Sequence, residues 1–204
     1  MAHASATCSL EPGAPTSNFV HWMWPNAWTS LSWRIPACAA CPQPSALQVT
    51  SVQFALGNLG TCTATAQVSI VAAGGDAACP SPDTTQILCG PFTYPLSGPA
   101  HPDPLWVLSL PPGCCVSPGA FVVVKFGVEA CGEFGRPTPS LLLSDGPNAS
   151  CSEYVTVSGF YPTFTDVNSI FPGGHPLWIR ADAECCGGTP TLPPSWGGVK
   201  TLYR

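Results

Sequence analysis

Charge is scarce in this chain. Asp, Glu, Lys and Arg make up 8% of its 204 residues, and six basic against eleven acidic residues leave a formal net charge of −5. A surface so poor in cations has little with which to hold a phosphate backbone, which sets nucleic acid aside as a partner. Long apolar runs are missing as well. Gly, Pro or Ser interrupts every hydrophobic stretch before it approaches the roughly 18 to 20 residues of a membrane-spanning helix, so no membrane span is expected. Helical periodicity does not persist beyond two turns, and 25 Pro with 20 Gly work against helix throughout.

Catalytic motifs are lacking too. There is no G-x-S-x-G, no H-E-x-x-H, no Gly-rich phosphate loop followed by Lys, and no C-x-x-C beside a βαβ pattern. Glu129 and Glu133 have i,i+4 spacing but fall at an expected strand end and loop. His101 and His175 fall in turns, and Asp76, Asp103, Asp145 and Asp166 lie in separate loops with no D-x-D-x-D run. No catalytic residue and no cofactor is assigned, and the expectation is a non-enzyme.

What the chain does have is cysteine: Cys8, Cys38, Cys41, Cys62, Cys79, Cys89, Cys114, Cys115, Cys131, Cys151, Cys185 and Cys186. An even number spread over the whole length points to disulfides and an oxidising, extracellular compartment. Ala4-Ser5-Ala6 has the small-x-small form of a signal-peptidase site, so residues 1–6 read as the remnant of a signal peptide. Cys79 with Cys89 and Cys131 with Cys151 are each spaced to close a local loop. Cys114-Cys115 and Cys185-Cys186 are adjacent pairs whose side chains alternate, so each member should bond a different strand. Metal is the competing reading, since Cys38-Ala-Ala-Cys41 has zinc-knuckle spacing and Cys185-Cys186 would complete four thiolates.

Strand signals fill the domain expected over 7–186. In CTATAQVSIVA, Cys62, Ala64, Ala66, Val68 and Ile70 alternate with Thr63, Thr65, Gln67 and Ser69, giving one dry and one wet face. Further strands are expected at 47–56, 85–89, 105–110, 120–128, 140–144, 153–160 and 176–182, with a last one in the tail. AFVVVKFGV is apolar on both faces apart from Lys125 and belongs in the middle of a sheet. Short strands separated by turn chemistry such as AAGGDA and LPPG predict an antiparallel β-sandwich or jelly roll stapled by several disulfides. Residues 1 to about 45 are expected to wrap the sandwich as a strap with one or two strands.

Within that strap, Trp22 and Trp24 share a face if the segment is extended, and Trp28 and Trp33 follow. Exposed, Trp22, Trp24 and Trp28 would form an aromatic platform for sugar rings; buried, they would fill the core. After the 187–195 linker, with its GGTPTLPP run, comes WGGVKTLYR at 196–204. This tail resembles the W-G-x-(I/V)-K-x-(L/I)-(Y/F)-R endings of uncharacterised secreted, cysteine-rich β-sandwich proteins of Gram-negative bacteria. The resemblance implies export and surface attachment, with Trp196, Gly197, Lys200, Tyr203 and Arg204 as recognition residues. The functional expectation is an extracellular, non-enzymatic structural or adhesive protein that self-assembles as a surface or filament subunit, partnered by copies of itself or other surface components. The alternative is a carbohydrate-binding module with polysaccharide as partner.

Overall fold

A computed structural model describes residues 7–11, 13–20, 28–41, 46–57, 63–97, 105–128, 140–146, 149–172 and 176–186. The wet-and-dry alternation read from the sequence is the physical basis of the architecture. Along β5 (Thr63–Asp76), Ala64, Ala66, Val68 and Ile70 are buried, while Thr63, Thr65, Gln67 and Ser69 face the other way. In β9 (Phe121–Val128), Val122, Val124 and Phe126 join the same core. These strands belong to a six-stranded antiparallel sheet ordered β12–β11–β3–β9–β5–β6, whose other members are β3 (Trp28–Arg34), β6 (Cys79–Ser97), β11 (Glu153–Val157) and β12 (Tyr161–Asp166). β9 occupies the interior of that sheet, as its two apolar faces require.

A seven-stranded antiparallel sheet packs against it. Its main path is β1 (Thr7–Leu10), β13 (Ile179–Cys185), β4 (Leu47–Gly57), β10 (Ser140–Ser144) and β2 (Pro15–Val20), with β7 (Leu105–Ser109) and β8 (Cys115–Val116) also pairing β4. The sheets meet through side chains such as Phe54 of β4 and Phe126 of β9, whose rings stand edge to face with centroids 4.9 Å apart. β4 changes phase in the middle. Val49 and Val52 are three residues apart yet both fully buried, because Ala183 opposes Val49 while Asp182 opposes Ser51, leaving Thr50 as the extra residue of a bulge. The fold is the disulfide-stapled antiparallel sandwich expected from the sequence.

Three strand expectations need correction. The N-terminal segment supplies three strands rather than one or two, and β3 is no strap: it lies inside the six-stranded sheet between β11 and β9. The strand expected at 85–89 is part of the 19-residue β6. Pro80, Pro82, Pro91 and Pro95 hide it in the sequence, but β6 is an edge strand, where a missing N–H is tolerated. AAGGDA is mostly strand, the turn falling at Ala77-Ala78 after Asp76, whose Oδ1 accepts from the Ala78 N–H. β12, with Pro162, went unforeseen for the reason that hid β6. One helical turn, α1 (Val167–Ile170), is capped by Asp166, which accepts from the Asn168 N–H.

Among the described residues, five disulfides tie the two sheets and their connections: Cys8–Cys38, Cys41–Cys185, Cys79–Cys151, Cys89–Cys114 and Cys115–Cys186. Both adjacent pairs bond to different partners, as alternation demands. The local pairings do not occur. Cys79 reaches Cys151, 72 residues away, and Cys89 reaches Cys114, because β5 and β6 slip register between Val68 and Ala72 and the hairpin bends there. The four thiolates of the competing zinc reading are consumed as well: Cys41 and Cys185 bond each other, Cys38 bonds Cys8 and Cys186 bonds Cys115. Cys62 and Cys131 lie outside the described residues.

Candidate functional site: a cleft on the six-stranded sheet

The outer face of the six-stranded sheet is concave. At one end the bent β5–β6 hairpin folds over it, held by the Cys79–Cys151 disulfide and by the Tyr154 hydroxyl donating to the Pro80 carbonyl at 2.9 Å. Beneath this end a small apolar cluster of Val71, Phe121, Val123 and Tyr154 packs with Phe164 of β12. Phe121 and Tyr154 meet edge to face at 5.7 Å. Beyond the cluster the face opens into a cleft of about 500 Å³, walled by Thr84 and Ile87 of β6 on one side and by Tyr161 and Pro162 of β12 on the other.

Strand register sets the floor. Thr156 opposes Ser30, Ser30 opposes Lys125, and Lys125 opposes Gln67, so one polar row crosses β11, β3, β9 and β5. Four strands spaced about 4.8 Å apart make this row about 14 Å long. Period-two alternation puts the row's neighbours Val68, Val124 and Leu31 on the opposite, core face. Among the described residues, none of Ser30, Gln67, Ser69 and Thr156 engages its side chain in a hydrogen bond, which leaves hydroxyls and an amide available to a ligand.

Trp28 stands beside the middle of this row, two residues before Ser30 on β3 and opposite Gly127 of β9. It is 46% exposed, and its ring lies against the backbone of Gly127, where an added Cβ would come within 2.6 Å of the indole. Gly127 is therefore the seat of the ring. The Lys125 ammonium lies over the same ring, 4.5 Å from its centroid. The turn between β11 and β12 is joined to this corner by the Ser158 N–H donating to the Trp28 carbonyl, and it presents the exposed Phe160. Trp33, five residues along the same strand on the opposite face, is buried in the core. Of the tryptophans in the described residues named for the strap, Trp33 is thus a core side chain and Trp28 is exposed.

Trp22 and Trp24 lie outside the described residues, as do His101, His175, Glu129, Glu133 and the tail residues Trp196, Gly197, Lys200, Tyr203 and Arg204. The residues that sequence reasoning missed are Lys125, Gln67, Ser30 and Thr156. The signal was partly there, since Lys125 was the single charge in an apolar strand and Gln67 and Ser69 lay on a wet face, but only the pairing of distant strands joins them.

A different titratable group lies inside the sandwich. Glu153 is 2% exposed and accepts a hydrogen bond from the Leu177 N–H at 3.0 Å. Burial pushes its carboxyl up to about 8, against the opposing effect of that hydrogen bond and with a further rise from the charge of Asp166. No protein-family model and no curated protein matches the chain. Among solved structures it is similar to the cysteine protease and lectin-like domains of Cwp84, a surface layer associated protein of Clostridium difficile, at 13% identity and a TM-score of 0.48. The match covers 79% of this chain and 33% of that one, so this chain spans about a third of its length. A likeness this distant carries no argument about the site, which stands on its own residues.

Proposed function

We propose that this chain is a non-enzymatic extracellular adhesive domain that holds a saccharide in the cleft over the six-stranded sheet. The observation that carries the reading is the row Thr156–Ser30–Lys125–Gln67 with Trp28 beside its middle. An aromatic ring offers a platform for the apolar face of a pyranose, and side chains with unspent donors and acceptors offer partners for its hydroxyls. Secretion is supported by five disulfides linking distant segments, a pattern that persists in oxidising compartments.

Self-assembly by strand addition is the weaker reading. Both edges of the six-stranded sheet carry proline, four in β6 and Pro162 in β12, and proline on an edge blocks pairing with another chain. The tail resemblance adds an attachment role for residues 196–204, tested by deleting 189–204 and asking whether the folded protein is released into the medium. For the cleft, the test is binding to an array of oligosaccharides by wild type and Trp28→Ala. Binding that falls at least about tenfold in the variant, with an unchanged melting temperature, is expected, because one stacked aromatic contributes on the order of 1 to 3 kcal/mol. A variant that binds as wild type does would remove Trp28, and with it this reading.

A further inference from the structure

We infer that the ligand of the cleft is an acidic saccharide, whose carboxylate or sulfate group pairs with Lys125. The inference rests on the saccharide reading and adds the chemical class.

Lys125 is an unusual placement for a cation. The chain has only two lysines, and this one projects from the centre of an interior strand, half-buried in a protein whose net charge is −5. Among the described residues it forms no ion pair; the ion pair present joins Arg180 and Asp182, on the other sheet. No Asp or Glu among the described residues lines the cleft. Among the described residues the ammonium is held by the Trp28 ring, an interaction that attracts the cation without neutralising it.

A partly desolvated cation without a counter-charge favours an anionic ligand group, and the surrounding side chains say which kind. On either side of Lys125 in the row lie Ser30 and Gln67, then Thr156, all neutral groups suited to hydroxyls. One charge among several hydroxyl-matching groups fits a sugar acid or a sulfated sugar rather than a polyanion dense in charge. The stacking platform and the anion site are adjacent because the Lys125 ammonium lies over the Trp28 ring itself.

The test compares probes that differ in charge alone: a galactose oligomer, the galacturonic acid oligomer of the same length, a sulfated galactan oligomer, and poly-glutamate as a non-sugar polyanion. Binding is measured by calorimetry for wild type, Lys125→Met and Lys125→Arg, each checked for an unchanged melting temperature. Wild type should prefer at least one acidic oligomer over the neutral one by about tenfold, the factor one charge-assisted hydrogen bond supplies. Lys125→Met should abolish the preference and Lys125→Arg should keep most of it. Which acidic oligomer wins identifies carboxylate or sulfate. Equal binding of neutral and acidic oligomers by wild type, or a preference that survives in Lys125→Met, overturns the inference while leaving the saccharide reading intact. Poly-glutamate binding as tightly as the acidic sugars overturns it in favour of mere charge attraction. If no saccharide binds, both readings fall.

Discussion

Replacing Glu153 by Gln should make the protein less sensitive to alkaline pH. Glu153 lies on β11 facing Leu177, whose N–H it accepts, and its carboxyl titrates near 8 rather than at its ordinary 4.5 because burial disfavours the charge. The direction follows from proton counting. Between pH 4.5 and 8 the folded protein keeps a proton that the unfolded chain has released, so folding stability is greatest below pH 4.5 and falls as pH rises through that window. Each unit of separation between the folded and unfolded values is worth about 1.4 kcal/mol, so the loss across the window amounts to roughly 3 to 5 kcal/mol. That is a large part of the 5 to 15 kcal/mol a domain typically has.

Glutamine keeps an acceptor for the Leu177 N–H and carries no charge to bury. Thermal melts from pH 5 to pH 9 should show near-equal stability of the two proteins at pH 5. At pH 8.5 the variant should be more stable by a few kcal/mol, or about 6 to 12 °C at the 2 to 4 °C per kcal/mol expected for this size. Every other titratable group is common to both proteins and cancels in the difference. Parallel melting curves at every pH would refute the reasoning, since they would mean that Glu153 ionises at the same pH folded and unfolded.

Other outcomes follow from the same structure. Gly127→Ala puts a methyl group where the Trp28 ring now lies, so the ring must leave its seat; ligand binding should drop at least tenfold while the melting temperature changes little, as read by calorimetry and circular dichroism. Opening the Cys41–Cys185 link with paired Ser substitutions frees a 144-residue loop and should cost up to about 5 kcal/mol in a denaturant titration. Peptide mapping without reduction should recover the five links, Cys79–Cys151 and Cys89–Cys114 among them, and recovery of a Cys79–Cys89 peptide would contradict the bent hairpin.

The parts of the fold that were legible in the sequence are those decided by side chains two residues apart. The alternation of Ala64, Ala66, Val68 and Ile70 against Gln67 and Ser69 defined β5 and its faces, and the doubly apolar β9 declared its interior position. The same rule separated the members of each adjacent cysteine pair. What stayed hidden depends on distant contacts. The cleft floor needs Thr156 beside Ser30, 126 residues apart in the chain, and no local pattern encodes that register. The Cys79–Cys151 link needs the hairpin to bend at its register slips, which look in the sequence like ordinary turn chemistry. Edge strands escaped notice because proline argues against a strand everywhere except at an edge.

The disulfide arrangement bears on binding as well as on stability. A cleft formed by the outer face of one sheet would lose affinity if its walls had to be ordered around the ligand. Here one wall belongs to β6, and the hairpin that carries it is anchored at its tip to the segment leading into β11 on the far side of the sheet, by Cys79–Cys151 and by the bond from Tyr154 to Pro80. The apolar cluster of Phe121, Val123, Tyr154 and Val71 fills the space beneath, so the hairpin rests on packed side chains rather than bridging a void. The opposite wall, β12, is fixed to β11 by register and ends in Asp166, whose carboxylate accepts from the Cys151 N–H and so ties that wall to the same disulfide. Both walls converge on Cys151. Removing the Cys79–Cys151 bond should therefore weaken saccharide binding more than removing Cys115–Cys186 does, although the two bonds close loops of nearly equal length, 72 and 71 residues, and should cost similar global stability. Equal losses of affinity in the two variants, measured by calorimetry on proteins shown to be folded, would mean that the hairpin is held by its packing alone.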